Sequence, residues 1–112
     1  MAGIRQEKIA SLLKRELAQF FQRESSFMFG GRFITVTIVR MSPDLGVAKV
    51  YLSFMASKDP KGDLEAVSGQ AWLIRKKLAE TVGKQLRRMP ELQFYVDDSL
   101  DYYDDIDRLL NS

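Results

Sequence analysis

A single α+β domain, with a three-stranded sheet covered on one face by helices, is predicted by three observations. The apolar spacing switches between helical and strand periods in the order α-β-β-α(kink)α-β. The two adjacent strands are joined by a short Pro/Gly turn, and the last helix leads through a proline into the third strand. At 112 residues the chain has the size of one domain and buries roughly two-thirds of its unfolded surface. The domain is expected over residues 1–98, with 99–112 as a short acidic C-terminal segment packed on it or trailing it.

Ile9, Leu12, Leu13, Leu17, Phe20 and Phe21 recur at helical spacing, so a first amphipathic helix is predicted from about Ile4 to Phe21. Ser25-Ser26 and Gly30-Gly31 then predict a loop. Arg32 to Met41 is dense in β-branched residues, and Ile34, Val36 and Ile38 alternate with Thr35 and Thr37 to give one apolar face. Ser42-Pro43-Asp44-Leu45-Gly46 is turn chemistry, with glycine permitting φ > 0. Val47 to Met55 follows as a second strand, with Ala48, Val50, Leu52 and Phe54 on one face and Lys49, Tyr51 and Ser53 on the other.

Asp59 before Pro60 and Asp63 before Leu64 are candidate helix caps. Glycine inside the following pattern predicts a kink or break over Gly69, Gln70, Ala71 and Trp72. Beyond it the helix is expected to reach Met89, where Pro90 disfavours further helix. Gln93 to Val96 is the third strand, parallel to its neighbour if the crossover is right-handed. Tyr103, Ile106 and Leu110 suggest a short C-terminal helix. This is the element order of a KH-type RNA-binding domain of the bacterial variety, type II.

Cysteine and histidine are both absent. Disulfides, thiol nucleophiles, the imidazole general base and the commonest metal ligands are thereby excluded, and no enzyme, cofactor or metal is expected. No apolar run approaches the roughly 20 residues of a membrane span, and Met1 to Glu7 lacks a signal-peptide apolar region, so a cytoplasmic location is expected.

The net charge of +2 is distributed unevenly. From Ala71 to Pro90 six basic residues stand against Glu80 alone, a balance of +5, whereas from Glu91 to Ser112 seven acids stand against Arg108, a balance of −6. On a helical wheel Ala71, Ile74, Leu78, Val82 and Leu86 share one side, and Lys76, Lys77, Lys84, Arg87 and Arg88 the other. Arg5, Lys8 and Arg15 border the apolar stripe of the first helix, with Arg23 in line if that helix persists. Such cationic faces can release counterions from an anionic partner such as RNA, although solvated basic faces are also common.

Arg75 falls inside the apolar arc, where an unpaired arginine is costly, so an ion pair with Asp97 or Asp98 is expected. Trp72, at the border of the same arc, is expected in the core, with base stacking as the alternative for it and for Tyr51. Asp97, Asp98, Asp101, Asp104 and Asp105 lack calcium-loop spacing, and are expected to solubilise the domain and steer RNA away from that end.

Three separated motifs sharpen this picture: Met41-Ser42-Pro43-Asp44-Leu45-Gly46-Val47-Ala48-Lys49-Val50-Tyr51-Leu52, then Ile74-Arg75-Lys76-Lys77-Leu78, then Arg87-Arg88-Met89-Pro90-Glu91-Leu92-Gln93-Phe94-Tyr95-Val96-Asp97-Asp98-Ser99-Leu100. In order and spacing the chain resembles the ribosome-binding factor A family over nearly its whole length. The resemblance implies a KH-like, non-catalytic and monomeric factor that binds the immature small (30S) ribosomal subunit and its 16S rRNA. It further implies assistance in late maturation and rRNA processing, with importance for growth in the cold, and no membrane or small-molecule substrate. The family's Ala-x-Gly kink is replaced here by Gln70-Ala71-Trp72, with the glycine displaced to Gly69. The alternative is a KH-like protein-interaction module that uses its acidic tail or a sheet edge.

Overall fold

The structure is a computed structural model that describes residues 2–97. Asp98, the acidic segment 99–112 and the predicted C-terminal helix lie outside the described residues. The elements are α1 (Ala2–Met28), β1 (Ile34–Met41), β2 (Val47–Phe54), α2 (Pro60–Ser68), α3 (Ala71–Val82) and β3 (Glu91–Val96), with a 3-10 turn at Gly83–Gln85. The sheet order is β1-β2-β3, antiparallel between β1 and β2 and parallel between β2 and β3. This is the α+β, KH-like order predicted, with α2 and α3 forming the two halves of the broken helix.

α1 buries Leu13, Leu17, Phe20 and Phe21 against the sheet. It runs on through Ser25 and Ser26 to Met28, two turns beyond the predicted end. Phe29 is buried, and its ring lies 5.5 Å from that of Phe21. That burial draws the chain back to the core and outweighs the weak helix preference of serine. The helix closes at Gly30 and Gly31, at φ 61° and 78°. There Gly31 N–H donates to the Ser25 carbonyl at 2.9 Å, satisfying a carbonyl that the helix leaves open.

In β1 the strict alternation expected from the sequence fails. Val36 pairs with Leu52 but Ile38 pairs with Tyr51, so Thr37 is an extra residue in a β-bulge. The Thr37 hydroxyl donates to the Tyr51 carbonyl at 3.2 Å. The bulge reverses the faces downstream: Val39 is buried, whereas Ile38 is 37% exposed instead of facing the core. β2 keeps its predicted alternation, with Ala48, Val50, Leu52 and Phe54 inside.

The β1–β2 turn is held by Asp44, whose carboxylate accepts from the Ser42 hydroxyl at 2.7 Å and from Gly46 N–H at 2.9 Å. These bonds hold the Asp44 carboxyl below the ordinary carboxylate range, and Arg88 contributes to the same effect. The residue with positive φ here is Leu45, at 61°, rather than the expected Gly46. Gly46 has a different use: a Cβ there would come within 2.5 Å of the Arg88 guanidinium, whose exposed tip would have to swing aside.

Asp59 caps α2 by accepting from Gly62 N–H at 3.1 Å, with Pro60 opening the helix. The other candidate cap, Asp63, lies inside the first turn, where it binds Arg32 Nε at 2.7 Å and the Ser57 hydroxyl. These partners, Arg32 foremost, lower its pKa below the ordinary aspartate value. A carboxylate with a depressed folded-state pKa adds stability above its unfolded value and loses it as pH falls through the folded value. The stability difference between wild type and Asp63→Asn, read from denaturant midpoints, is therefore expected to shrink as pH is lowered from about 6 to about 2. A difference that stays constant across that range would refute the assignment.

α3 buries Ile74, Leu78 and Val82 and stops there, seven residues short of the predicted Met89. Gly83 begins the 3-10 turn, and Leu86 is already extended at φ −121° and ψ 139°. Leu86 and Met89 still pack on the core, so the apolar pattern continues although the helix does not. Leu92 and Phe94 complete the core from β3.

Candidate nucleic-acid interface

The eight basic residues selected on the sequence separate into distinct places. Arg5 and Lys8, in the first turns of α1, meet Arg87 and Arg88, in the link between the 3-10 turn and β3, around an open hollow of 660 Å³. All four are exposed, and Asp44 and Leu45 of the β1–β2 turn close one side. Lys76 and Lys77 lie elsewhere, with Arg23, along a smaller groove of 270 Å³ between the C-terminal half of α1 and α3. Glu24 and Glu80 line that groove too, and Arg23 Nε is 3.5 Å from Glu24, so its net charge is modest. Arg15 pairs with Glu16 at 3.5 Å, and neither it nor Lys84 lines these two hollows.

The grouping differs from the helical wheel because the helix ends early. Arg87 and Arg88 project from a bend in the non-helical link, which returns them to the N-terminal end of α1 rather than extending a basic helical face. Arg88 packs over Gly46, and Glu91 N–H donates to the Gly46 carbonyl at 2.8 Å, so the turn and the link brace each other.

Arg75 has other partners than the carboxylates expected for it. It is exposed at the edge of α3, where Nε donates to the Pro90 carbonyl at 3.0 Å and Nη2 to the Met89 carbonyl at 2.7 Å. A wheel that continues the helix past Val82 puts Arg75 in the core; the shorter helix does not. Two charge-assisted bonds to the link that carries Arg87 and Arg88 make Arg75 a positioning residue for the basic hollow. Arg75→Met is expected to cost about 1–2 kcal/mol, and to weaken polyanion binding as well because Arg87 and Arg88 lose their mount. Unchanged stability in a denaturant titration would remove this role.

The kink is a two-residue break at Gly69 and Gln70. Gly69 keeps helical angles of φ −63° and ψ −17°, and Gln70, at φ −112° and ψ 17°, donates from Nε2 to the Met28 carbonyl at 2.9 Å. This bond, which no sequence pattern indicated, ties the α2–α3 junction to the end of α1. Ala71 begins α3, and Trp72 is 69% exposed instead of lying in the core. Tyr51 faces away from the helices and stacks on Tyr95, with centroids 5.4 Å apart.

Among the described residues no group of three or more Asp or Glu side chains is placed to hold a metal ion, and no helix is long and apolar enough to cross a membrane. What these residues do offer is a cluster of exposed cations.

Comparison with known proteins places the chain clearly. The family model described as ribosome-binding factor A matches residues 5–110. A ribosome-binding factor A from Cytophaga hutchinsonii is 44% identical over 111 residues, covering 99% of this chain and 84% of that protein. One from Chlorobaculum tepidum is 40% identical, covering 98% and 91%. The crystal structure of ribosome-binding factor A from Thermus thermophilus superposes with a TM-score of 0.66 at 30% identity, over 81% of this chain and 94% of that chain. A homology model of the Thermus thermophilus factor, fitted into a cryo-EM map of its complex with the 30S subunit, gives a TM-score of 0.62 at 32% identity, over 80% and 91%.

Proposed function

The chain belongs to the ribosome-binding factor A family, and from that premise we propose that it binds the small (30S) ribosomal subunit through 16S rRNA. It acts as a monomeric, cytoplasmic assembly factor that assists late maturation and rRNA processing, with most effect in the cold, and catalyses no step itself. The observation that carries this proposal is the convergence of Arg5, Lys8, Arg87 and Arg88, from opposite ends of the domain sequence, on one open hollow. Four exposed cations around a hollow walled on one side only suit a phosphate backbone, which supplies affinity and register, and not a small molecule, which requires enclosure.

Such a factor works by differential affinity. It holds the RNA conformation that presents phosphates at the spacing of its cations, and so shifts the subunit towards that conformation. Sedimentation of cell extract tests the proposal: the chain is expected with free small subunits and absent from translating ribosomes. Recovery only in soluble fractions, or in association with a protein partner that survives nuclease treatment, would overturn it in favour of a protein-interaction module.

A further inference from the structure

The face of the sheet turned away from the helices is also organised. Downstream of the Thr37 bulge, Arg40 faces outward as the register partner of Lys49, and Lys49 pairs in turn with Gln93 of β3. The next outward row is Ile38, Tyr51 and Tyr95, again register partners across the three strands. One row is cationic and polar, the other apolar and aromatic, and two residues of strand separate them by about 6.6 Å. Without the bulge, Arg40 and Ile38 would point into the core.

Like charges directly opposite one another across an antiparallel pair are destabilising, yet Arg40 and Lys49 are both exposed in that arrangement. Neither forms an ion pair among the described residues. The tyrosines are stacked at an interplanar angle of 27°, and Tyr95 O–H donates to Gln93 Oε1 at 2.9 Å, which fixes that ring beside the polar row. Ile38, Arg40, Lys49, Tyr51 and Asp97 are among the residues that line a shallow hollow of 560 Å³.

We propose that this open sheet face is a second binding site, for single-stranded RNA, with phosphates on Arg40 and Lys49 and a base against the Ile38–Tyr51–Tyr95 row. A cationic track beside an aromatic platform is what unpaired nucleotides require, since every base has a face to stack and every linkage a charge to neutralise. The site lies on the opposite side of the sheet from the helical cations and does not depend on them, so one chain contacts RNA on two sides.

Titration of the full chain with a labelled oligouridine of about ten nucleotides tests this. The double variant Arg40→Gln, Lys49→Gln is expected to bind about tenfold more weakly, with the log–log salt slope reduced by about 1.4 for two lost phosphate contacts. It is also expected to melt no lower than wild type, because the like-charge pair is relieved. Tyr51→Ala, Tyr95→Ala is expected to weaken binding about tenfold without changing the slope.

Oligouridine binding that is untouched by these variants but weakened by Arg87→Gln, Arg88→Gln would overturn the sheet-face site and leave the helical-side function standing. Absence of oligouridine binding would overturn it too. So would a wild-type dimer that the Arg40, Lys49 variant dissolves, since a second copy would then be the occupant.

Discussion

A chain carrying Arg5→Gln, Lys8→Gln, Arg87→Gln and Arg88→Gln together is expected to bind small-subunit RNA roughly a thousandfold more weakly at about 0.15 M salt. Each phosphate contact removed lowers the log–log salt slope by about 0.7 to 0.9, so the slope is expected to fall by about 3. The four side chains are exposed and line one hollow, and glutamine removes the charge while keeping a polar, flexible side chain. Stability is expected to stay within about 0.5 kcal/mol of wild type. Equilibrium binding over a salt series, with a denaturant titration of the same samples, checks both. An unchanged slope would mean that the hollow does not carry the phosphates. Lys76→Gln, Lys77→Gln is the matched control, and a smaller loss is expected because Glu24 and Glu80 already offset those cations.

Phe21→Ala is expected to give the largest loss of stability, about 3–5 kcal/mol. Phe21 is 1% exposed and contacts three other rings: Phe20 at 5.6 Å, Phe29 at 5.5 Å and Phe94 at 6.2 Å. It therefore joins α1, the chain beyond its C-terminus and β3 at one point. Because a domain of this size has a net stability of only about 5–15 kcal/mol, the loss should be obvious in a denaturant midpoint. Phe33, by contrast, is 72% exposed. Phe33→Ala is expected to change the midpoint little. Comparable effects at the two positions would refute the central place given to Phe21.

The parts of the fold legible in the sequence are those set by local periodicity. The burial of Leu13, Leu17, Phe20 and Phe21, the alternation of β2 and the cap at Asp59 follow directly from residue type and spacing. Where expectation failed, a tertiary contact overrode a local signal. Burial of Phe29 carried α1 through Ser25 and Ser26, and Leu86 and Met89 reached the core from the non-helical link at positions that also fitted a helix. An apolar residue that packs from an extended link is indistinguishable in sequence from one that packs from a helix. The bulge at Thr37 left no mark either, since Val36, Ile38 and Val39 are all apolar and either register could be read. Consequently the basic residues that a helical wheel gathers on one face lie in separate places, and Arg75, expected to meet Asp97 or Asp98, bonds the Pro90 and Met89 carbonyls, with Asp98 outside the described residues.

The length of α1 has a further consequence. Lys8 and Arg23 sit on one continuous helix, one in each basic group. At the helical rise per residue, roughly 22 Å of rigid rod separates them. The helix is a ruler: its N-terminal end is tied to β1 by Gln6 Nε2, which donates to the Met41 carbonyl at 3.2 Å, and its C-terminal end by the Gln70 bond to Met28, so the gap between its marks is fixed. On the proposed function, folded RNA with phosphates at that distance would meet both marks at once, whereas a flexible strand would lose entropy to do so. Inserting one alanine at mid-helix would turn one mark by about 100° against the other, leaving every cation present and their spacing wrong.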